Sequence, residues 1–270
     1  MPESSNRVEV VYGVDIGVYS YAHHQKTGHR AQGNTTFAWA RLPVSGPEAA
    51  SVGNDLPVLA EAIAGDLAAK RTIALGFEAP MWFPLGPFRT EAVQEPPGGL
   101  HRLFEARFAA ECDPESGDGY QWYKQSGAAA SMKAMVHGVM LFRQLNEMGL
   151  SPRLVVRESD VDDMPSIVLY EGFVATTQTK GLCKNAAAAL MPGKRLNDHK
   201  RDAVGVALAW IYRGAPHADL GIRGESLWPA EPDPEPDVVS VWEVIARRAV
   251  AWPTDLIANR TCEVVQPVRG

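Results

Sequence analysis

The chain has few cysteines and no long apolar run. Cys112, Cys183 and Cys262 lie far apart among 270 residues and form no C-x-x-C pair. This spacing indicates neither a disulfide framework nor a zinc knuckle. No stretch approaches the roughly 18–20 apolar residues of a membrane helix, and residues 1–6 are polar, without signal-peptide character. We therefore expect a soluble, cytoplasmic protein that has no membrane partner.

The sequence also lacks a surplus of basic charge. Its 26 basic and 32 acidic residues give a net charge of −6, which is not typical of a protein that coats nucleic acid. The charge is unevenly placed, since residues 178–213 hold seven basic and two acidic residues and residues 225–270 hold eight acidic and four basic ones. A basic strip on a mildly acidic protein fits a phosphate-bearing substrate, and it fits an ordinary solvated surface equally well.

Hydrophobic residues make up 46% of the chain, enough to fill a large core. Strand patterns cover five segments: Val8 to about Asp15, and residues 35–44, 72–82, 153–157 and 166–174. Helical patterns cover residues 55–71, 126–148, 186–190, 199–212 and 238–250. These segments predict an α/β fold with a mixed five-stranded sheet and helices on both faces.

Segments rich in proline and glycine divide the chain. We predict one domain over residues 1–214, with a cap-like insertion at 83–125. Residues 215–270 form a proline- and acid-rich strap followed by a C-terminal helix, since residues 225–237 contain five acids, four prolines and no base. The apolar face of that helix needs a partner. We expect it to dock on the body of the same chain, with a protein partner or a second copy as the alternative.

Three acids stand where a site can assemble. Asp15 ends the first predicted strand, Glu78 ends a later buried strand, and Asp202 lies in the first turns of a helix. Sites in α/β sheets form at the carboxyl ends of strands, and a buried carboxylate needs a partner. Without a matching buried base, the acids suit Mg²⁺ or Mn²⁺. Two such ions about 3.5–4 Å apart can activate water and stabilise the leaving oxygen in phosphodiester cleavage.

The most specific segment is the start of that helix. His199 and Asp202 are three residues apart and so share one face. Both lie near the helix N-terminus, where the dipole favours carboxylates and bound anions. Asn197 or Asp198 is the natural N-cap.

Three segments carry a resemblance to a known family. VYGVDIG, GFEAP and HKRDAVGVALAW, in this order, resemble the motifs of the ribonuclease H-like nuclease superfamily, and the HxxDA form of the last resembles its RuvC-like branch. GFEAPMWFPLG and LYEGFVA are also similar to an uncharacterised family of predicted ribonuclease H-like nucleases. The resemblance covers residues 8–82 and 152–213. It implies a ribonuclease H-like mixed five-stranded sheet flanked by helices, with an insertion and a C-terminal extension.

The resemblance also implies roles for individual residues. Asp15 and Asp202 would bind the catalytic metal ions directly, and Glu78 would lie between the two ions. His199 would orient the scissile phosphate or the attacking water, and Asp198 is a possible alternate ligand. Glu171 in LYEGF is a further candidate, with a paired strand residue as the other interpretation. The candidate nucleic-acid-binding residues are six of the seven bases in the positive strip: Lys180, Lys184, Lys194, Arg195, Lys200 and Arg201.

The sequence therefore predicts a metal-dependent nuclease that hydrolyses phosphodiester bonds in DNA or RNA by a two-metal-ion mechanism. Two alternatives stay open. An actin-like or sugar-kinase-type ATPase also opens with D-x-G, but it needs a second D-x-G strand and a glycine-rich adenosine motif, and no segment after Gly149 provides a convincing one. A non-catalytic scaffold of the ribonuclease H-like fold could act through a protein partner instead.

Overall fold

The structure is a computed structural model. It describes residues 7–17, 36–45, 48–84, 128–174, 177–217, 219–228, 230, 238–249 and 251–270. The predicted insertion at 83–125 lies outside these ranges, apart from its first two residues. Residues 231–237 of the predicted strap also lie outside the described ranges.

The described ranges contain ten strands and five α-helices. The strands are β1 (Val10–Ile16), β2 (Phe37–Pro43), β3 (Ser51–Gly53), β4 (Ile73–Phe77), β5 (Trp82–Pro84), β6 (Arg153–Val155), β7 (Ser166–Gly172), β8 (Ile222–Trp228), β9 (Val238–Ser240) and β10 (Glu263–Arg269). The helices are α1 (Leu56–Ala68), α2 (Ala128–Glu147), α3 (Thr177–Leu190), α4 (Asp198–Ile211) and α5 (Val241–Ala249). None of these helices combines the length and the apolar character that crossing a membrane requires.

Eight of the strands form one mixed sheet. Its order is β3-β2-β1-β4-β7-β10-β8, and β6 pairs with β7 beside that path. β2 is antiparallel to its neighbours β3 and β1, whereas β1, β4 and β7 run parallel. Both β6 and β10 pair in parallel with β7, β6 along its first half and β10 along its second. Because β1 and β4 are parallel neighbours, their carboxyl ends lie side by side.

The sheet is larger than the five strands that the sequence predicts. All five predicted strands are present, as β1, β2, β4, β6 and β7. The short edge strand β3 adds one more, and β8 and β10 come from the C-terminal part of the chain. Those two strands are antiparallel neighbours, with Ile222 opposite Arg269, although they are distant from each other in sequence. The prediction of a five-stranded sheet is therefore wrong in strand number, although the mixed α/β class is confirmed.

Helices cover both faces of the sheet. The alternation of β1 turns Tyr12 and Val14 toward a core shared with α1, α2 and α5. Val11 faces the opposite core, which α3 and α4 cover. In α5, Trp242 is fully buried, with its ring 4.7 Å from that of Phe77 at the end of β4. The apolar face of α5 therefore packs on the body of the same chain.

Candidate metal centre

Three carboxylates converge at the carboxyl ends of β1 and β4. Asp15, Glu78 and Asp202 each offer an oxygen atom, and these atoms lie within 4.8 Å of one another. Asp15 belongs to β1, and Glu78 directly follows β4, its backbone N–H donating to the carbonyl oxygen of Val14 at 2.8 Å. Asp202 comes from the second turn of α4 and is buried. The two strand ends and the helix thus meet at one point, as the sequence predicts for these three acids.

The close packing of α4 on β1 brings Asp202 to the strand ends. A Cβ atom added to Gly13 would lie 2.2 Å from the carbonyl oxygen of Ala203 and 2.7 Å from the backbone nitrogen of Ala207. Only glycine allows the helix backbone to come this near to the strand. Gly13 and Asp15 share one face of β1, so the helix that touches Gly13 also places its Asp202 beside Asp15.

His199 forms a hydrogen-bonded pair with one of the three acids. Its Nδ1 atom lies 2.7 Å from Oδ2 of Asp15. This hydrogen bond is the largest reason that the pKa of His199 lies above its ordinary value, with the charges of Asp15 and Asp202 adding to the effect. Asn197 is the N-cap of α4, and its side-chain oxygen accepts a hydrogen bond from the Lys200 N–H at 2.9 Å. The cap fixes the first turn of α4, which carries His199.

The three acids repel one another in a poorly solvated place. Burial raises the pKa of Glu78 well above its ordinary value, and the charges of Asp15 and Asp202 raise it further. A hydrogen bond with the backbone of Val174 acts in the opposite direction. Burial also raises the pKa of Asp202 to about 6, and the nearby Lys180 opposes this shift. Within the part of the chain that the structure describes, the basic residues near the cluster compensate its negative charge only in part.

A second buried acid shows what full compensation looks like in this chain. Asp66 of α1 accepts hydrogen bonds from Arg41 at 2.7 and 2.8 Å, from Arg71 at 3.0 Å and from the Tyr12 hydroxyl at 2.5 Å. Although burial alone raises the pKa of Asp66, the bonds from Arg41 and Tyr12 hold it below its ordinary value. Asp66 is thus a structural carboxylate with its own cations. The pKa values of Glu78 and Asp202 are shifted the other way, which is typical of functional acids.

Besides His199, one basic residue of the described ranges reaches the carboxylates. Lys180 of α3 places its Nζ atom 3.8 Å from Oδ2 of Asp202. The sequence marks Lys180 as a nucleic-acid-binding candidate and predicts a helix only from residue 186, so it does not foresee this ion pair. The earlier start of α3, at Thr177, puts Lys180 on a helix that packs against α4.

The remaining candidates lie outside the cluster. Asp198 is exposed and pairs with the Arg201 guanidinium at 2.8 Å, so the structure does not bring it to the three acids. Glu171 is fully buried in β7 and accepts a hydrogen bond from the Met81 N–H at 3.0 Å, in agreement with its interpretation as a paired strand residue. The other nucleic-acid-binding candidates are solvent-exposed or partly exposed on α3, on α4 and between them: Lys184, Lys194, Arg195, Lys200 and Arg201.

Sequence reasoning missed two contributors to the site besides the Lys180 contact. Gly13 sets the distance between β1 and α4, and a glycine two residues before Asp15 is the signal that could have indicated it. The backbone of Val174, just beyond β7, bonds to Glu78, and no sequence pattern marks a backbone group.

Comparison of the chain with protein families, with curated proteins and with solved structures finds no match in any of the three.

Proposed function

We propose that this chain is a metal-dependent nuclease with a ribonuclease H-like fold, and that it hydrolyses phosphodiester bonds in DNA or RNA. The observation that carries the proposal is the convergence of Asp15, Glu78 and Asp202 within 4.8 Å. The mixed sheet supports it, because two of its parallel strands and one helix present the acids that the sequence resemblance selects.

The donor set fits a hard divalent cation. All three side chains offer carboxylate oxygens, the ligands that Mg²⁺ and Mn²⁺ prefer. The pKa values of Glu78 and Asp202 are raised by burial and by the neighbouring acids, and the described basic residues offset this rise only in part. One or two cations would supply the remaining positive charge. Repulsion among the clustered acids destabilises the fold. In a scaffold that only binds a partner, no function would compensate for this loss of stability.

Each residue has a defined task in the proposed reaction. Asp15, Glu78 and Asp202 would hold the ions, which when bound supply an activated water and stabilise the leaving oxygen. The bond from Asp15 fixes the Nδ1 side of His199, so the Nε2 side is the one left to hold a phosphate oxygen or the attacking water. The exposed bases of α3 and α4 would hold the phosphate backbone near the carboxylates.

A cleavage assay tests this proposal. Labelled single-stranded, duplex and branched DNA and RNA are incubated with the protein in Mg²⁺, in Mn²⁺ or in a chelator. We expect metal-dependent cleavage of at least one substrate and at least a hundredfold loss of rate in Asp15→Asn. Glu61→Gln removes one exposed carboxylate from α1 and serves as the matched control, which should cleave at the wild-type rate. If no substrate is cleaved, or if Asp15→Asn cleaves as fast as the control, the proposal is wrong.

A further inference from the structure

The Lys180 ammonium acts on two members of the carboxylate cluster. It lies 3.8 Å from Oδ2 of Asp202. Its charge also opposes the rise in pKa that burial imposes on both Glu78 and Asp202. Lys180 is therefore a partial counter-ion for Glu78 and Asp202 together rather than the partner of a single acid.

The packing of α3 on α4 holds Lys180 in this place. One turn along from the ion pair, a Cβ atom on Gly205 would lie 2.1 Å from the sulfur of Cys183. Cys183 follows Lys180 by three residues and Gly205 follows Asp202 by three residues, so the two contacts are successive along the same pair of helix faces. The helix backbone at Lys180 is thus fixed relative to Asp202.

The two partners differ strongly in exposure. The Lys180 side chain is 55% exposed, whereas that of Asp202 is 8% exposed. The ammonium therefore lies at the solvent side of the cluster, on a flexible stem, and it can leave without disturbing the core. A divalent cation at the carboxylates would repel it, because like charges a few ångströms apart are unfavourable.

We propose that Lys180 exchanges partners: its ammonium compensates the carboxylates when they hold no metal ion, and it moves to a phosphate oxygen of the nucleic acid when they do. This inference rests on the proposed function for its second half. Metal binding would release a cation at the mouth of the site, where the substrate phosphate must lie. Lys180 would thereby couple the binding of the metal to the binding of the substrate.

Metal titration without nucleic acid tests the first half. Mn²⁺ is titrated calorimetrically into the wild type, Lys180→Gln, Lys180→Arg and Lys133→Gln, each checked for fold by circular dichroism. Lys180→Gln removes a competing charge, so we expect about tenfold tighter Mn²⁺ binding. Lys180→Arg keeps the charge and should bind Mn²⁺ like the wild type. Lys133→Gln makes the same change at an exposed position of α2, on the other face of the sheet, and should alter Mn²⁺ affinity less than twofold. Unchanged or weaker binding in Lys180→Gln overturns the exchange.

Binding of a phosphorothioate DNA strand, which resists hydrolysis, tests the second half. Fluorescence anisotropy measures its affinity for the wild type and Lys180→Gln, in chelator and in Mn²⁺. We expect Lys180→Gln to weaken binding several-fold in Mn²⁺, with a shallower salt dependence, and to change it less than twofold in chelator. An equal loss under both conditions means that Lys180 contacts phosphate permanently, and it overturns the exchange.

The results separate this inference from the proposed function. Suppose that the wild type binds Mn²⁺ and cleaves nucleic acid, while Lys180→Gln has unchanged affinities for Mn²⁺ and for the DNA strand. In that case the exchange is wrong and the proposed function stands. If Lys180→Gln binds Mn²⁺ more tightly but no nucleic acid is bound or cleaved, the proposed nuclease function and the phosphate half of the exchange are wrong. If the wild type binds no Mn²⁺, both are wrong.

Discussion

Gly13 of β1 and Ala203 of α4 are in backbone contact, since a Cβ atom on Gly13 would lie 2.2 Å from the Ala203 carbonyl oxygen. The contact lies beside two of the three clustered acids, because Asp15 follows Gly13 by two residues and Asp202 precedes Ala203. The spacing between the carboxylates therefore depends on a packing contact that carries no functional group itself.

Replacing Gly13 with alanine should separate the strand from the helix. Both near atoms belong to the α4 backbone, which cannot move aside as a flexible side chain would. We expect Gly13→Ala to lower the free energy of unfolding by about 3 kcal/mol and to weaken Mn²⁺ binding. Chemical denaturation and calorimetry measure the two effects. Gly65→Ala in α1 is the control: its new methyl group meets nothing within 4 Å, so it should stabilise the helix by about 0.5–1 kcal/mol. Equal stability of the two variants would contradict this role of Gly13.

Asp202→Asn should stabilise the metal-free protein at neutral pH. Burial raises the pKa of Asp202 from 3.8 to about 6 in the folded state. Between these values the folded state binds more protons than the unfolded state, so stability falls as the pH rises toward 6 and stays low above it. The variant should gain about 1–3 kcal/mol above pH 6 and nothing near pH 4. Denaturation curves across this range, recorded in a chelator, would refute the prediction if the gain were independent of pH.

His137 of α2 should make the protein lose stability in acid. It is buried, and burial together with the charge of Lys133 lowers its pKa from 6.5 to about 4. Between pH 6.5 and 4 the unfolded state therefore binds a proton at His137 that the folded state does not bind. The free energy of unfolding falls as the pH drops through this range. The contribution amounts to about 3 kcal/mol over this window. His137→Gln should have a flatter stability profile there, and a profile parallel to that of the wild type would contradict the assignment.

Trp242 should be the main anchor of α5 on the body. It is fully buried and packs against Phe77 and, at 6.4 Å between ring centroids, against Phe142. We expect Trp242→Ala to cost about 3–5 kcal/mol of stability, measured by thermal and urea unfolding. Arg248→Ala changes an exposed residue of the same helix and should cost less than about 0.5 kcal/mol. A Trp242→Ala variant as stable as this control would show that α5 does not depend on that contact.

Local patterns in the sequence were sufficient to predict the strands and the helix that carry the three acids. The apolar run before Asp15 and the one before Glu78 both form strands, and the spacing of Leu56, Leu59, Ile63 and Leu67 predicts α1, in which all four are buried. The site could be predicted because strand ends have a fixed place in an α/β sheet.

The C-terminal strands could not be predicted in the same way. β10 contains Pro267, β8 contains Gly224, and the acids and prolines that follow favour an extended strap. Their stability in the sheet comes from pairing with each other and from the contact of β10 with β7, which are distant in sequence. The ion pair of Lys180 with Asp202 could not be predicted either, because it depends on how α3 packs against α4.

The central claim, that Asp15, Glu78 and Asp202 form one divalent-cation site, is tested most directly by calorimetric titration of Mn²⁺ into the wild type, Glu78→Gln and Glu61→Gln at neutral pH. Glu78 is the choice because it would lie between the two metal ions in the proposed site, and Glu61→Gln makes the same chemical change at an exposed position of α1. We predict saturable Mn²⁺ binding in the wild type and in Glu61→Gln, and at least a tenfold loss of affinity in Glu78→Gln. Equal affinity in all three proteins, or no binding in the wild type, would contradict the claim.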